Sequence, residues 1–272
     1  MPKAFKALFQ EHYSVDSNGA FVLPKELILQ ALQLLFEKDD YTFLVDMTAV
    51  DYLHQKNQPE RFAIIYILRD QHFQNLITLK TYIDSSLATQ SITSLFKSAN
   101  WAEREIWDQY GIHFKNHPNL KRILNHKEFV GHPLRKDYPI TQGQLCHKSD
   151  DLMDEMNPRL KTKGYSSQEE LMFLNLGPAH PASHGTIRTF VALDGENITC
   201  AVSEIGYLHR GFEKSCENHT YNQIIPYTDR LNYCSAILNN IGFAHAVEGI
   251  LGVDLPERAK FIRVIIGELS RI

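Results

Sequence analysis

Arg61-Phe-Ala-Ile-Ile-Tyr-Ile-Leu68 is an apolar run dominated by β-branched and aromatic residues. Such a run favours a strand with little exposure to solvent, and we predict the central strand of a sheet here. Two further runs rich in strand-forming residues precede and follow it, Thr42–Val50 and Leu76–Ile83. The first half of the chain is therefore predicted to be built on a sheet that includes these three strands.

Helical spacing flanks these strands. Four apolar residues that follow Pro24 share one face of a helix, namely Leu27, Ala31, Leu34 and Leu35. Proline suits the first turn of a helix, because the amide hydrogen that it lacks has no partner there. Ser91–Tyr110 returns to helical spacing, and Gly111 is well placed to end that helix. The first block is therefore predicted to alternate α and β elements.

The chain between Ile112 and Pro139 is punctuated by proline and histidine. Each proline lacks a backbone donor and disfavours helix in the residue before it, so an extended or looped path is predicted. Residues 141–170 are mostly polar with few large apolar side chains, which predicts a linker. The domain prediction is therefore residues 1–140 with an extended C-terminal arm, this linker, and a second domain at residues 171–272.

The second domain opens with strand-forming runs. Leu171–Leu176 is followed by the loop Gly177–Gly185, and two more runs flank Asp194-Gly195, namely Ile187–Leu193 and Ile198–Ile205. Glycine tolerates the positive φ that tight hairpin turns need, so this dipeptide predicts a β-hairpin. We expect a small sheet at the start of this domain.

Helical spacing takes over after Glu213. One helix has an apolar face made of Ile237, Leu238, Ile241, Ala244, Val247 and Leu251. A last helix is predicted to begin at Pro256 and is apolar on nearly every side, which is typical of a helix buried by several neighbours. We expect the sequence to be cut inside a larger helical domain, or partner chains to complete that domain.

Composition and charge argue against several classes of protein. Of the 272 residues, 43% are hydrophobic and 22% are charged, as in ordinary globular proteins, so global disorder is not expected. The formal net charge of −4 argues against a nucleic-acid-binding surface. The sequence has no apolar run of membrane-spanning length and no signal-peptide core, so we expect a cytoplasmic location.

The four cysteines form no C-x-x-C pair, which disfavours a zinc ribbon or an iron–sulfur cluster held by this chain.

The loop Gly177-Pro-Ala-His-Pro-Ala-Ser-His-Gly185 is the first candidate site. Its glycines and prolines restrict the backbone to a specific shape. Its two imidazoles, His180 and His184, can bind metal, donate protons or hydrogen-bond a carbonyl oxygen. Two local ligands are too few for a closed metal site. From the residues alone, a structural tight turn and a functional loop are equally open.

Two basic segments admit both a structural and a functional interpretation. Gly131-His-Pro-Leu-Arg-Lys-Asp-Tyr-Pro139 is either a solvated turn or an arm that docks on an acidic partner. Ile205-Gly-Tyr-Leu-His-Arg-Gly-Phe-Glu-Lys214 places Arg210 between two glycines. Its spacing matches no phosphate-binding motif, so a nucleotide site is disfavoured.

Several longer strings resemble one known family. Three are similar to the C subunit of bacterial NADH:quinone oxidoreductase (respiratory complex I): Trp101-Ala-Glu-Arg-Glu-Ile-Trp-Asp-Gln-Tyr-Gly-Ile112, His117-Pro118 and Gly131–Pro139. Four are similar to its D subunit: Phe173-Leu-Asn-Leu-Gly-Pro178, Gly206-Tyr-Leu-His-Arg-Gly211, Pro226-Tyr-Thr-Asp-Arg-Leu-Asn-Tyr233 and Ala246-Val-Glu248. Their order in one chain resembles the fused C/D subunit over most of residues 41–139 and 171–272.

The resemblance implies an α+β fold. An N-terminal α/β domain of the C-subunit type would be followed by a linker and then by a β-hairpin region. The hairpin region would lead into a helical bundle of the D-subunit type, which is similar to the large subunit of nickel–iron hydrogenases. The D subunit of this family continues beyond the point where this sequence stops. The bundle is therefore expected to be incomplete, and the chain is not expected to be active alone.

The resemblance also implies site residues. His184 and Tyr233 correspond to the residues that contact the quinone headgroup, and they are the implied catalytic pair. Arg230 belongs to the D-R-L motif, close to the terminal iron–sulfur cluster. His180 and Arg210 are implied as supporting residues of the pocket.

Expectations for cofactors and partners follow from the same resemblance. The hydrogenase motif R-x-C-x-x-C is replaced here by Arg230-Leu-Asn-Tyr-Cys-Ser235, so both ligand cysteines are absent and no metal is expected. The chain is expected to bind no cofactor alone: quinone is a substrate, and FMN and the iron–sulfur clusters belong to partner subunits, above all the cluster-bearing subunit at the quinone site. The expected location is peripheral, on the cytoplasmic side of the bacterial inner membrane. The alternatives are a non-catalytic assembly fragment and a subunit of a hydrogenase-related membrane complex.

Overall fold

The computed structural model describes residues 2–146, 152–165, 171–179 and 185–272. The chain divides into two compact units, Met1–Asp150 and Asp151–Ile272, and each is considered by itself. Within the described ranges, no helix is both long and apolar enough to cross a membrane.

The first unit is built on a five-stranded sheet. Its helices and strands, in chain order, are α1 (Lys3–Phe9), β1 (Ser14–Val15), β2 (Phe21–Leu23), α2 (Ile28–Lys38), β3 (Phe43–Asp51), β4 (Phe62–Arg69), β5 (Leu76–Ile83), β6 (Ala88–Gln90), α3 (Ala99–Tyr110) and β7 (His113–Lys115). The strand order is β1-β2-β5-β4-β3, in which β2 and β5 are parallel and the other neighbours are antiparallel. The three predicted strands are confirmed, and β6 pairs with β7 in a separate parallel ribbon.

The predicted central strand is confirmed as β4, which lies between β3 and β5. Ile64, Tyr66 and Leu68 on one face of this strand are fully buried in the core of the unit. Helix α2 adds Leu32 and Leu35, which are also fully buried in this core. Burial of each of the four aliphatic side chains contributes roughly 1.5–3 kcal/mol, which offsets part of the entropy lost when the sheet orders.

Helix α3 begins later than its spacing predicts. The expected start is Ser91, but the helix starts at Ala99. The side chain of Glu103, on the second turn of the helix, accepts the Ile92 amide hydrogen at 2.6 Å. This tertiary contact holds the residues before α3 in a turn and overrides their helical spacing. Gly111 ends the helix as predicted, with a left-handed φ of 77°.

Glu103 carries its carboxyl group into the core, where its side chain is fully buried. Burial raises the pKa of Glu103 to about 7. The His117 ring is equally buried, with Nε2 3.9 Å from Glu103 Oε2. His117 Nδ1 accepts the Asn119 amide hydrogen at 2.9 Å, so Nε2 carries the ring hydrogen and donates to the Asn100 carbonyl oxygen at 3.0 Å. Burial also lowers the pKa of His117, so this ring is neutral at pH 7 and the contact is not an ion pair.

We expect Glu103→Gln to remove part of the pH dependence of the first unit's stability. The folded pKa of about 7 exceeds the ordinary value of 4.5, so between these values the folded state holds a proton that the unfolded state releases. The free energy of unfolding therefore falls as the pH rises through this window, by roughly 3 kcal/mol for this group. Urea unfolding at pH 5 and pH 8, followed by tryptophan fluorescence, measures the change, because both tryptophans lie on α3.

The glutamine keeps an oxygen for the Ile92 amide and carries no charge. The variant is therefore expected to be more stable than the wild type at pH 8 and to have a flatter pH profile. The same substitution at exposed Glu37 is the control, because it changes the charge by the same amount at the surface. Parallel profiles of the wild type and the Glu103 variant would contradict the raised pKa.

A buried carboxylate, Asp108, organises the loop that follows β7. Its oxygens accept the backbone amide hydrogens of Ile123, Leu124 and Asn125 at 3.1, 3.0 and 2.9 Å, and Arg122 Nη1 donates to Oδ1 at 2.5 Å. Burial alone would raise the pKa of Asp108, but the hydrogen bonds from Asn125 and Arg122 outweigh burial and lower it. The ionised carboxylate therefore holds three successive backbone groups and an arginine in place.

The basic strip at residues 131–139 packs on its own unit. Arg135 Nε donates to the Tyr110 carbonyl oxygen at 2.6 Å, and the Lys136 amide donates to the buried Asp51 carboxylate at 2.8 Å. These bonds hold the strip against the end of α3 and the end of β3. The backbone of Lys136 and the guanidinium of Arg135 are therefore engaged within the unit, and the interpretation of this strip as an arm that docks on an acidic partner stays a prediction.

The second unit combines a three-stranded sheet with helices. Its elements, in chain order, are α4 (Met153–Thr162), β8 (Met172–Ala179), β9 (Ile187–Asp194), β10 (Asn197–Glu204), α5 (Phe212–Cys216), α6 (Tyr221–Thr228), α7 (Ala236–Leu251) and α8 (Glu257–Arg271). The strands are antiparallel in the order β8-β9-β10. The predicted hairpin at Asp194-Gly195 is confirmed, and Gly195 has a φ of 59°.

Helix α4 lies within residues 141–170, where the sequence predicts a linker. Leu152, Met156 and Leu160 recur every four residues, so they share one face, and they form a buried cluster with Val202 of β10. The linker prediction is therefore corrected over the length of this helix. A few apolar residues at helical spacing are enough to pack a helix, even when most of its residues are polar.

Met156→Ala is expected to destabilise the second unit by roughly 2–3 kcal/mol. The Met156 side chain is fully buried against the sheet, so truncation removes its contacts and leaves a cavity. Faster amide hydrogen exchange in β9 and β10 would report the loss. Met172→Ala is the control, because Met172 is 55% exposed. Equal exchange rates in the two variants would contradict the packing of α4 on the sheet.

The last two helices pack on each other and expose apolar residues. Arg263 of α8 pairs with Glu248 of α7 at 2.6 Å, and Gly267 allows a close approach, since a Cβ there would lie 3.1 Å from a methyl group of Leu238. Four apolar side chains of α8 are 59–67% exposed, namely Phe261, Val264, Ile265 and Leu269. Within the described ranges, α8 therefore lacks the several neighbours that its sequence predicts. A complete helical bundle stays a prediction.

Candidate functional site

The five candidate residues from the sequence all belong to the second unit. His180 and His184 lie outside the described residues. Arg210 lies in the loop between β10 and α5, and Arg230 and Tyr233 lie between α6 and α7. The structure therefore places three of the five, and Arg230 is exposed.

The strands that flank residues 180–184 contain a β-bulge. Leu176 lies opposite Thr189, whereas Ala179 lies opposite Ile187, so β8 has one residue more than β9 between these pairs. In the bulge, residue 177 is a glycine with a φ of 102°, and a Cβ there would lie 2.5 Å from the Ile187 carbonyl oxygen. Only glycine fits this position. Bulges of this kind change the direction of a strand and are common beside binding sites.

Four polar side chains tie the three strands together near this bulge, and we call them the Arg188 cluster: Asn175, Arg188, Glu204 and Tyr207. Arg188 Nε donates to Asn175 Oδ1 at 2.9 Å, and Arg188 Nη1 donates to Glu204 Oε2 at 3.3 Å. The Tyr207 hydroxyl donates to the same oxygen of Glu204. Asn175 Nδ2 donates to the Gly177 carbonyl oxygen at 3.1 Å, so the cluster also holds the bulge.

The Arg188 cluster is partly shielded from water. Arg188 and Glu204 stand directly opposite each other on β9 and β10, and their side chains are 19% and 18% exposed. Burial, together with the hydrogen bond to Glu204, raises the pKa of Tyr207 to about 12. At physiological pH the Tyr207 hydroxyl is therefore a hydrogen-bond donor, and the cluster carries one cation and one anion.

Arg210 is held against helix α6. Its Nη2 donates to the Tyr227 carbonyl oxygen at 3.1 Å, and its guanidinium carbon lies 4.9 Å from the centre of the Tyr227 ring. The Tyr227 hydroxyl in turn lies 3.1 Å from His219 Nε2. Tyr207 and Arg210 belong to the same short loop, residues 205–211. This loop therefore links the Arg188 cluster to α6.

Tyr233 lies in a 3-10 turn immediately before α7. The residue is half-buried, and its hydroxyl oxygen is shielded from solvent. The residues before it are fastened to α7: the Thr228 hydroxyl lies 2.6 Å from Asn240 Oδ1, and Asn239 Nδ2 donates to the Asn232 carbonyl oxygen at 3.1 Å. These contacts fix the segment on which Tyr233 lies.

The Arg188 cluster was not singled out from the sequence. Counting outward from the hairpin turn would pair Arg188 with Ser203, but the register shifts by one residue between Ile198 and Cys200, so Glu204 is its partner. The opposite charges on adjacent strands were the available signal, and they can be interpreted only when the register is known.

No group of three or more His, Cys, Asp or Glu side chains in the described part of the chain is arranged to hold a metal ion. His180 and His184 are outside that part, so the prediction that this chain binds no metal stays a prediction. All four cysteines are free thiols.

Comparison with known proteins gives the class of the first unit. Residues 21–144 match the family model described as "Respiratory-chain NADH dehydrogenase, 30 Kd subunit". A solved structure, "Nqo5 of the trypsin-resistant fragment (1-134)", is 30% identical and covers 40% of this chain and 89% of that chain, with a TM-score of 0.37. The family match alone places the first unit in the class of respiratory-chain NADH dehydrogenase subunits.

Longer relatives extend the match through both units. The C/D subunit of the NADH-quinone oxidoreductase of Bdellovibrio bacteriovorus is 44% identical over 250 residues, which are 92% of this chain and 44% of the relative. The protein of the same name from Methylococcus capsulatus is 36% identical over an alignment of 280 positions, gaps included, which covers 97% of this chain and 48% of the relative. The chain is therefore similar to NADH-quinone oxidoreductase C/D subunits over more than nine tenths of its length, and it spans about half the length of these relatives.

Proposed function

We propose that this chain is part of a peripheral-arm subunit of a proton-pumping NADH:quinone oxidoreductase and contributes to its quinone-reduction site. The observation that supports this is the 44% identity to a C/D subunit across 92% of the chain. A match of that extent includes both units, and therefore the segments that carry the candidate residues. The first unit would contribute to docking of the iron–sulfur subunits, and the second would supply quinone ligands.

His184 and Tyr233 are proposed to hydrogen-bond the two carbonyl oxygens of the quinone headgroup. Reduction to the quinol takes up two electrons and two protons, so donors must meet these oxygens as negative charge develops on them. An imidazole, with an ordinary pKa of about 6.5, is the readier proton source at neutral pH, whereas a phenol, with a pKa of about 10, is mainly a hydrogen-bond donor. The shielded Tyr233 hydroxyl, on a segment fastened to α7, suits the second role.

Arg230, Arg210 and His180 are proposed to support the pocket without reacting. Arg210 holds its loop on α6 through the carbonyl group and the ring of Tyr227. Arg230 would place a fixed positive charge close to the cluster that donates electrons, where it favours the more negative, reduced state. His180 would assist His184 from the same loop.

The electrons are proposed to come from NADH through FMN and iron–sulfur clusters, all held by partner subunits. This chain would bind no cofactor of its own. Its principal partner would be the cluster-bearing subunit at the quinone site. The assembled arm would lie on the cytoplasmic side of the bacterial inner membrane, with this chain attached peripherally.

Deletion of the gene in its native host, followed by complementation, tests the proposal. Membranes of the deletion strain are expected to lose proton translocation driven by NADH and a short-chain quinone, and the wild-type gene is expected to restore it. Measuring proton translocation excludes NADH dehydrogenases that do not pump. Full translocation in the deletion strain would refute the proposed function.

A further inference from the structure

Arg188 is the centre of the contacts that fasten the sheet of the second unit. It donates in two directions, to Asn175 on β8 and to Glu204 on β10. The strands β8 and β9 are the two that flank residues 180–184. From Glu204 the contacts continue to Tyr207, beyond the end of β10.

The same contacts continue to the helices that carry Tyr233. Tyr207 shares a loop with Arg210, whose guanidinium lies over the ring of Tyr227 on α6. Helix α6 is joined to α7 by a side-chain hydrogen bond, and Tyr233 lies between these two helices. Hydrogen bonds and ring contacts, together with the loop backbone from Tyr207 to Arg210, therefore connect the hairpin to the segment of Tyr233.

We propose that Arg188 is a positioning residue for the quinone site: it holds the strands that flank His184 in a fixed place relative to the helices that flank Tyr233. This inference rests on the proposed function. A headgroup that contacts two distant segments needs their separation to be fixed, because a misplacement of about 1 Å can cost roughly 100-fold in rate. Arg188 itself contacts no reacting atom in this proposal.

The chemistry of the guanidinium explains why the position is an arginine. Its Nε and Nη1 hydrogens point in fixed, diverging directions, so one planar group serves Asn175 and Glu204 together. A lysine would keep the charge but offers a single ammonium on a flexible stem. We therefore expect Arg188→Lys to retain the contact with Glu204 and to lose the joint geometry.

Steady-state kinetics of the assembled complex with a short-chain ubiquinone test the proposal. Arg188→Ala is expected to lower kcat for quinone reduction roughly 10- to 100-fold, with a smaller change in KM, and Arg188→Lys to recover part of kcat. NADH oxidation with ferricyanide and the yield of assembled complex should stay at the wild-type level. A merely structural role would lower the yield and not the turnover of each complex.

A matched control contacts the same sheet. Arg159 on α4 pairs with Glu155 and donates to the Ala201 carbonyl oxygen on β10 at 3.0 Å. It is an arginine of the same unit outside the path from the hairpin to α6. Arg159→Ala is expected to leave kcat and KM for quinone unchanged, and a loss equal to that of Arg188→Ala would overturn the proposal.

Tyr233→Phe, measured in parallel, separates the two possible failures. If Tyr233→Phe loses quinone reduction and Arg188→Ala keeps it, the positioning role is wrong and the proposed function is retained. If Tyr233→Phe and His184→Ala both keep full activity, the proposed quinone site itself is wrong. If Arg188→Ala does not assemble, Tyr207→Phe decides, because it removes only the hydroxyl bound to Glu204. A lower kcat in that variant supports the proposal, and an unchanged kcat overturns it.

Discussion

Replacing Tyr233 by phenylalanine in the assembled oxidoreductase is expected to lower the turnover of quinone reduction about 100-fold, as for the loss of a positioned acid or hydrogen-bond donor. The substitution deletes one oxygen atom, which is shielded from solvent. Phenylalanine keeps the ring and the 3-10 turn before α7. The quinone oxygen would lose its partner as negative charge develops on it. NADH oxidation with a short-chain ubiquinone measures the effect.

Reduction of ferricyanide by NADH is expected to continue at the wild-type rate, because ferricyanide takes electrons before the quinone site. Tyr221→Phe is the matched control, since Tyr221 lies on α6 of the same unit and is 61% exposed. His184→Ala should reproduce the loss seen with Tyr233→Phe. Normal quinone turnover in both the Tyr233 and the His184 variants would refute this pair as the headgroup ligands.

Asp108→Ala is expected to lower the free energy of unfolding of the first unit by about 4–5 kcal/mol. The substitution leaves Arg122 without its carboxylate and the amides of residues 123–125 without their acceptor. Each buried donor left without a partner costs about 1–3 kcal/mol, so the losses accumulate. Urea unfolding followed by fluorescence reports on this unit alone, because Trp101 and Trp107 are the two tryptophans of the chain.

Asp108→Asn separates charge from hydrogen bonding in the same loop. It keeps one oxygen acceptor and loses the ion pair with Arg122. Its free energy of unfolding should therefore lie between that of the wild type and that of the alanine variant. Asp46→Ala is the control, because Asp46 is exposed on β3 and a change within about 0.5 kcal/mol is expected there. A similarly small change in Asp108→Ala would show that the loop is held by other contacts.

The central sheet could be predicted from the sequence because its signal is local. β4 is apolar except for its last residue, Arg69, and its neighbours β3 and β5 are long runs of strand-forming residues. The hairpin of the second unit has a local signal as well, the turn at Asp194-Gly195. By contrast, β2 has three residues, Phe21–Leu23, and is a strand because it pairs with β1 and with β5, which lies far away in the sequence. No local pattern marks such a strand.

The candidate site was predictable only in part. Tyr233 and His184 were identified through the resemblance to a family, because residue type and spacing do not distinguish them from a core tyrosine and a loop histidine. Arg188 and its partners depend on the register of a sheet with two irregularities. Asp108 accepts hydrogen bonds from backbone amides that are 15–17 residues away in sequence, and such contacts leave no periodic pattern.

The parallel pairing of β2 with β5 has a consequence for synthesis on the ribosome. Phe21 pairs with Leu79, so the first strands of the sheet emerge long before their partner has been translated. Strands β3, β4 and β5 follow one another in sequence and can pair as they appear, whereas Phe5 and Phe9 on α1 must wait for the assembled core. The nascent chain therefore exposes N-terminal aromatic residues to chaperones at least until residue 83 has left the exit tunnel, because the five-stranded sheet can be completed only then.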